Sequence, residues 1–259
     1  MSDDPPRAEA PELSVVVPVF NEERALEELI ARCLRASREA AASFELVLVD
    51  DGSTDGTPHL LAAHATNPNV RPVRLEPNAG QFRATLHGLQ RATGDLIVVL
   101  DGDLQDPPEE IPRLVQALRG APADVTVAYA VKADRDDPPW LRLGAALYHL
   151  LQTGLGRGAV PTGAGSYCVM RRAVAGRVAS LTVRRANLAA ALAAVGVVAI
   201  TVPYRKQGRY DGRSRVGFVG LVREALGSLA LTGALWRLLG LVALLTAIAL
   251  WQLCRRSAP

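Results

Sequence analysis

An α/β fold with an open, mostly parallel sheet and helices on both faces is predicted for this 259-residue chain, and three observations predict it. Short apolar runs alternate with stretches of helical periodicity through the first half of the sequence. The runs are continuously apolar, as strands buried on both faces require. Two of them lead directly into acidic clusters, which puts carboxylates at the strand ends where open α/β sheets bind ligands.

The elements follow in order. Leu13–Val19, rich in valine and closed by Pro18, reads as a buried strand. From Glu22 to Ala41 the residues Leu26, Leu29, Ile30, Cys33 and Leu34 recur at helical spacing, with charges between them. Phe44–Val49 is the second strand and runs into Asp50-Asp51-Gly52-Ser53. A helix over 57–65, a strand over 70–75, a helix over 81–92 and a strand over 96–100 come next, the last ending in Asp101-Gly102-Asp103. A helix over 108–119 and a strand over 124–130 complete the series.

The second half reads differently. Trp140–Leu151 has the pattern of an amphipathic helix carrying Arg142, strands are predicted at 166–170 and 197–202, and one or two helices over 171–192. A loop from Tyr204 to Arg215 is dense in Arg, Lys and Gly. Residues 216–235 are nearly apolar apart from Arg223 and Glu224, and 238–251 are unbroken apolar sequence. A spanning helix needs about 20 apolar residues. With Trp236 and Trp251 at interfaces and Arg237 snorkelling, the segment from Leu235 to Cys254 just reaches that length. The expected organisation is therefore a disordered tail over 1–12, a catalytic domain over 13–215, an interfacial amphipathic helix over 216–235, a membrane helix over 236–254 and a tail over 255–259. If the last helix spans, Arg255 and Arg256 emerge on the far side, against the positive-inside tendency. A re-entrant helix avoids that conflict, and both arrangements stay open.

Bulk composition narrows the function classes. Hydrophobic residues at 49% and charged residues at 21% exclude a disordered chain. A net charge of +3 is too mild to argue for a nucleic-acid partner. Arginine dominates from Arg171 onward, which suits phosphates or an anionic membrane surface. Cys33, Cys168 and Cys254 have no metal-like spacing and read as thiols in a reducing compartment. The acidic, proline-rich start lacks the features of a signal peptide, so the body of the protein is expected in the cytoplasm. His59, His64, His87 and His149 fall on predicted helices without metal spacing and read as packing residues.

Chemistry is carried by the acidic segments. Asp101 and Asp103 at a strand end can direct two oxygen donors toward one point, and Mg2+ commonly takes one or two protein carboxylates plus phosphate oxygens. Alone, a D-x-D reads as a solvated turn, and Asp50 to Thr57 as a helix cap with an Asp-Gly turn. Two acidic loops at one sheet edge are harder to explain structurally.

Together, Val15-Val16-Val17-Pro18-Val19-Phe20-Asn21-Glu22-Glu23, the block from Asp50 to Thr57, and Asp101-Gly102-Asp103-Leu104-Gln105-Asp106-Pro107-Pro108 resemble family 2 glycosyltransferases of the GT-A, Rossmann-like fold. Within them, the sequence is similar to the dolichol-phosphate mannose synthase-like branch with its bacterial polyprenyl-phosphate glycosyltransferases. Asn78-Ala79-Gly80-Gln81 and Gly212-Arg213-Ser214-Arg215 match further segments of that pattern. The resemblance implies that Pro18, Phe20, Glu22, Asp50, Asp51, Gly52, Ser53 and Asp101 bind nucleotide sugar. Pro18, Phe20, Glu22 and Asp51 would line the base and ribose. It implies a divalent cation, Mg2+ or Mn2+, on Asp101, Asp103 and Gln105, and phosphate binding by Lys132, Arg142, Arg209 and Arg215. Asp103 and Asp106 are the catalytic candidates. The implied partners are a UDP- or GDP-sugar donor, a polyprenyl phosphate acceptor and a membrane. No nucleic acid is expected, and a homo-oligomer is compatible with the reading. The implied location is the inner membrane with the catalytic domain cytoplasmic.

One departure bears on mechanism. Many relatives carry a G-D-F-R block whose Asp is a candidate base, and here the matching block is Gly165-Ser166-Tyr167-Cys168. A phosphate monoester, with a second pKa of about 6, is already a competent nucleophile near neutral pH. The loss of Asp therefore favours a lipid phosphate over an alcohol acceptor, with Asp106 an alternative base. Other readings are a transferase acting on another glycan or membrane acceptor, and a catalytically impaired scaffold that binds nucleotide sugar. A nucleotidyltransferase ranks low, because Phe20-Asn21-Glu22-Glu23 stands where a glycine-rich phosphate loop would be needed.

Overall fold

A computed structural model of the chain describes residues 10–133, 150–152, 154, 161–183, 186–208, 218–242 and 246. Seven strands form one sheet: β1 (Leu13–Val19), β2 (Phe44–Asp50), β3 (Val70–Arg74), β4 (Leu96–Val99), β5 (Val127–Lys132), β6 (Ala164–Arg171) and β7 (Ala199–Tyr204). Their order is β3-β2-β1-β4-β6-β5-β7. Between them lie helices α1 (Leu26–Ala40), α2 (Thr57–His64), α3 (Gln81–Arg91), α4 (Ile111–Arg119), α5 (Arg172–Ala179) and α6 (Leu188–Ala194), followed by α7 (Phe218–Leu231). A 3-10 turn at Pro108–Glu110 precedes α4, where the sequence suggested one continuous helix.

Alternate residues of each central strand feed opposite layers, as the period of two demands. Val15, Val17 and Val19 pack in one core with Leu29 of α1 and Leu114 of α4. Val16, Val47 and Val99 pack in the other with Leu89 of α3 and Leu192 of α6. Every residue of β1 and β2 is buried, which explains why both read as unbroken apolar runs.

The sheet departs from a simple parallel series at one place. Strand β6 lies between β4 and β5 and runs antiparallel to both, while β1, β2, β3 and β4 are mutually parallel and β5 pairs parallel with β7. The chain runs β1, β2, β3 outward and then returns to place β4 on the other side of β1. That reversal makes a topological switch point, with its crevice at the carboxyl ends of the strands.

The opposite edge of the sheet is closed by a buried carboxylate. Glu45 accepts hydrogen bonds from Ser14 Oγ at 2.7 Å, Thr93 N at 2.6 Å and Thr93 Oγ1 at 2.8 Å, and pairs with Arg71. Burial alone would raise its pKa, but Arg71, Ser14 and Thr93 together hold it below the usual carboxylate value. A depressed folded pKa contributes stability that is present above the unfolded pKa of about 4.3 and lost as pH falls through the folded value. Glu45→Gln is therefore expected to cost about 1–2 kcal/mol at pH 7, and the difference from wild type should close as pH falls below 4. Denaturant unfolding at pH 7 and pH 3.5 checks this, and an unchanged difference would remove the ion pair from the account.

At the C-terminal end, α7 is bound back onto the domain by small polar groups. Ser228 Oγ accepts from Asn187 N at 3.0 Å, and Thr232 hydrogen-bonds to Gln152; Ser228, Thr232 and Gln152 are all buried. Among the described residues, no single helix is long and apolar enough to cross a membrane. Ala225–Leu231 and α8 (Ala234–Val242) together have the length and composition, but they meet at 85°. The bend falls at Thr232-Gly233, with Gly233 at φ +80°, a few residues before the division expected at 235–236. Leu226, Trp236, Leu239, Leu241 and Val242 are exposed along this pair. The N-terminal tail through residue 9, residues 140–149 of the helix predicted over 140–151, Cys254, and most of the segment beyond 242 lie outside the described residues.

Candidate active site

Three loops meet at the switch point, and backbone-to-side-chain hydrogen bonds lace them together. After β1, Asn21 turns at φ +55°; its N–H donates to Ser53 Oγ at 2.8 Å, and its Oδ1 accepts from Thr54 N at 2.8 Å. Glu22 N donates to Thr57 Oγ1 at 2.9 Å, Glu23 N to Asp55 Oδ2 at 3.2 Å, and Gly56 N to Glu23 Oε2 at 3.0 Å. The two motifs recognised in the sequence are thus two halves of one structure. Short polar side chains are needed here because each satisfies a backbone group of the other loop.

Asp50 and Asp51 have different surroundings. Asp50 is buried; its Oδ1 accepts from Ser53 N at 2.9 Å, while among the described residues Oδ2 has no hydrogen-bond partner and faces the Arg74 guanidinium at 3.7 Å. Asp51 Oδ1 and Oδ2 accept from Ala79 N at 2.7 Å and Gly80 N at 2.9 Å, and Asn78 Nδ2 donates to the Asp51 carbonyl at 2.8 Å. Burial, the largest influence, leaves the Asp51 carboxyl above its ordinary value despite those two donors. Gly52, at φ +73°, packs directly against the Asn78 backbone. Asp51 therefore fastens the loop after β3 to the loop after β2. Pro18 is buried at the end of β1, and Phe20 and Glu22 are half-buried beside the crevice.

The acidic loop after β4 occupies the centre. Gly102 is required there by close approach: a Cβ would stand 2.9 Å from Val19 Cγ1 and 3.0 Å from the Pro18 carbonyl oxygen. Leu104 adopts φ +58° with its side chain buried, so the turn is strained backbone held by core packing. Asp101 Oδ1 accepts from Gln81 Nε2 at 2.7 Å and Ser166 Oγ at 2.9 Å. Asp103 Oδ1 accepts from Gln105 N at 3.1 Å. Burial and then the Asp106 charge push Asp101 up to about 7, with Asp103 adding to the rise and Ser166 and Lys206 opposing it. Asp106 is likewise raised by burial, while its hydrogen bond from the Tyr204 hydroxyl and the charges of Lys206 and Lys132 work the other way.

Register explains why Ser166 reaches this loop. Val99 of β4 pairs with Cys168 of the antiparallel β6, so two steps onward Ser166 comes opposite Asp101. The serine that stands in place of an expected Asp is thus a donor to the first carboxylate of the D-x-D pair. Beyond it, Tyr167 Oη donates to the Pro107 carbonyl at 2.9 Å and its ring meets Tyr204 edge-on at 5.6 Å.

The predicted site residues from Pro18 to Asp106 come together on these loops, and Lys132 ends β5 at the same edge. Arg142, Arg209 and Arg215 lie outside the described residues, as does the Gly212–Arg215 segment. Sequence reasoning passed over Lys206, Tyr204 and Arg32. None belongs to a recognisable motif; the placement of β7 brings Tyr204 and Lys206 to the acidic loop, and Arg32 reaches Glu109 from α1.

The residues present suit a hard divalent cation shared with a ligand. Asp101 Oδ2 accepts no hydrogen bond among the described residues, its orientation is set by two donors on Oδ1, and three carboxylates crowd their negative charge together. Among the described residues no group of three His, Cys, Asp or Glu side chains forms a closed cage. A cation that takes phosphate oxygens for its remaining positions needs none.

This architecture is that of a GT-A-type α/β domain. The family model for glycosyl transferase family 2 matches residues 14–178, and the protein belongs to that family. The undecaprenyl-phosphate 4-deoxy-4-formamido-L-arabinose transferase of Pseudomonas aeruginosa is 45% identical over 140 residues, which cover 53% of this chain and 40% of that one. Its counterpart in Pectobacterium carotovorum is 42% identical over 141 residues, covering 54% and 42%. The matched part thus spans about two fifths of the curated relatives' length. Among solved structures, glucosyl-3-phosphoglycerate synthase from Mycobacterium tuberculosis, in complex with Mn2+, uridine diphosphate and phosphoglyceric acid, superposes with a TM-score of 0.61 at 20% identity over 86% of this chain and 79% of that one. A mannosyltransferase from Pyrobaculum calidifontis, in complex with GDP-Man and Mn2+, gives 0.52 at 24% identity over 76% and 56%. At these identities the structural likeness establishes the fold.

Proposed function

We propose that the protein transfers a sugar from a nucleoside diphosphate to a polyprenyl phosphate at a membrane surface, with inversion at the sugar carbon. The observation that carries the reading is the pair of acidic loops at the switch point, both tied to the Ala79–Gln81 segment, with Asp101 and Asp103 presented at its centre. Sequence similarity to undecaprenyl-phosphate sugar transferases supports the acceptor class. The exposed apolar side chains of the bent terminal pair support a membrane-facing position for residues 225–242.

In this reading, Pro18, Phe20, Glu22 and the loop from Asp50 to Ser53 form the wall for base and ribose. Asp101, Asp103 and Gln105 would hold the divalent cation, which when bound neutralises charge on the donor diphosphate. An acceptor phosphate oxygen attacks the anomeric carbon as the bond from that carbon to the diphosphate oxygen breaks. The nucleoside diphosphate leaves with the bonding electron pair. Lys132, at the end of β5 on the same edge, would meet the charge that develops on it. No proton has to be removed from a phosphate dianion, so the site has no need of a base at position 166.

Ser166→Asp tests that last point. A carboxylate in place of the Ser166 hydroxyl would replace a donor to Asp101 with a like charge, and transfer is expected to fall at least about tenfold. A gain of orders of magnitude would mean that a base was missing and would point to an alcohol acceptor. The function itself is tested by supplying radiolabelled UDP- and GDP-sugars with undecaprenyl phosphate, with and without Mn2+ or Mg2+. Metal-dependent label in the lipid phase is the expected result. Donor binding with no label in lipid would move the reading to another acceptor or to a nucleotide-sugar-binding scaffold.

A further inference from the structure

A lysine outside every recognised motif stands beside the acidic loop, and the segment carrying it is fastened on both sides. Immediately before it, β7 ends at Tyr204, whose hydroxyl donates to Asp106; both residues are only 5% exposed. Immediately after it, Gln207 N donates to the Gln105 carbonyl at 2.9 Å. Gln207 Oε1 also accepts from Arg32 Nη2 at 3.1 Å, and Arg32 grips Glu109 with two bonds of 2.8 and 2.6 Å. Lys206 is thereby mounted on a strap that is tied to the acidic loop at Asp106, Gln105 and Glu109.

Most exposed lysines are solvated surface charges. Lys206 differs in where the strap puts it. Its side chain is exposed, and its charge acts on both Asp101 and Asp106. Lys132, the register partner of Tyr204 on β5, brings a second positive charge to Asp106 from the neighbouring strand. A compact cation held at the rim of a crowded acidic cluster is suited to take a phosphate oxygen that enters between them.

We propose that Lys206 holds a phosphate oxygen of a substrate in the crevice above the acidic loop, and that Tyr204, through its bond to Asp106, is the positioning residue that aims it. The inference rests on the reading of this crevice as a site for phosphorylated substrates. The phosphate is either the donor diphosphate or the acceptor monoester, and the two are separable by measurement.

The test uses the full chain in detergent, with Kd measured for UDP and GDP in the presence of Mn2+ and KM measured for undecaprenyl phosphate. Lys206→Gln is expected to weaken one of these about tenfold to a hundredfold, as loss of a charge-assisted hydrogen bond does, with an unchanged melting temperature. Lys206→Arg should recover most of the loss. A shift in the nucleotide Kd assigns the donor diphosphate; a shift in KM at constant nucleotide Kd assigns the acceptor. Tyr204→Phe keeps the ring against Tyr167 and should move the same constant by about three- to tenfold. Because it acts through Lys206, the double variant should be no worse than Lys206→Gln alone.

If neither constant moves more than twofold in Lys206→Gln, the proposal is overturned. Full additivity in the double variant overturns the role of Tyr204. Transfer by the wild type is read separately. If it fails while nucleotide still binds, the proposed function falls and the nucleotide Kd alone decides Lys206. If the wild type binds neither nucleotide, both fall.

Discussion

Asp103→Ala is expected to lower sugar transfer by about 10²–10³-fold, the loss typical when one fixed group that stabilises developing charge is removed. The reason is geometric. Asp101 is oriented by Gln81 and Ser166 and cannot swing to replace its neighbour, because both donors grip the same oxygen. Gly102 offers no slack, since Val19 and Pro18 close in behind it. The second carboxylate of the pair must therefore come from position 103. Asp103→Asn is the informative companion, because it keeps an acceptor for the Gln105 N–H while removing the charge. Both variants should lose transfer and the metal-dependent part of nucleotide affinity, with melting temperatures close to wild type. Transfer by Asp103→Asn within threefold of wild type would separate the charge at 103 from the chemistry.

Gly94→Ala should have the largest effect on stability. Gly94 precedes β4, and a Cβ there would lie 2.5 Å from Ser14 N, 2.7 Å from the Leu13 carbonyl carbon and 2.7 Å from Ser14 Oγ. Two of these atoms are backbone of β1, fully buried at the centre of the sheet, so they cannot yield as a flexible side chain would. The same place carries hydrogen bonds from Gly94 N to Ser14 Oγ at 2.7 Å and from Ser14 to Glu45. Forcing β1 and β4 apart disturbs both the pairing and the buried carboxylate. A cost of about 3 kcal/mol is expected, read as a fall of roughly 6–12 °C in melting temperature for a domain of this size. Gly94 sits at the amino edge of the sheet, and the acidic loop at the carboxyl edge. The folded fraction of the variant should therefore keep its nucleotide affinity, whereas Asp103→Ala should keep its stability and lose function. A melting temperature within 2 °C of wild type would show that the strands separate more easily than their packing suggests.

Those two substitutions mark the two edges of one sheet, and their separation was partly legible in the sequence. Strands β1, β2 and β4 were visible because each is buried on both faces, so its composition carries the signal without help from its partners. The loops at Asp50–Thr57 and Asp101–Pro108 were legible as a pair for the same reason: each begins where an apolar run stops. Helix α1 announced itself by the spacing of its apolar residues. The 3-10 turn at Pro108–Glu110 did not, since a proline-led turn and a first helical turn look alike in sequence.

The sequence by itself determined the class of fold and which carboxylates stand at the carboxyl edge of the sheet, because these depend on local periodicity and on which residues end a strand. Only the tertiary structure decided that β6 enters reversed between β4 and β5, since a strand buried on both faces has the same composition in either direction. That reversal places Ser166 opposite Asp101 and turns an apparent missing base into a hydrogen-bond donor. Tertiary structure likewise decided that β7 lies beside β5, bringing Tyr204 and Lys206 to a loop about 100 residues earlier in the chain. Pairing between distant segments is governed by the summed packing of whole faces. No short stretch of sequence contains that information.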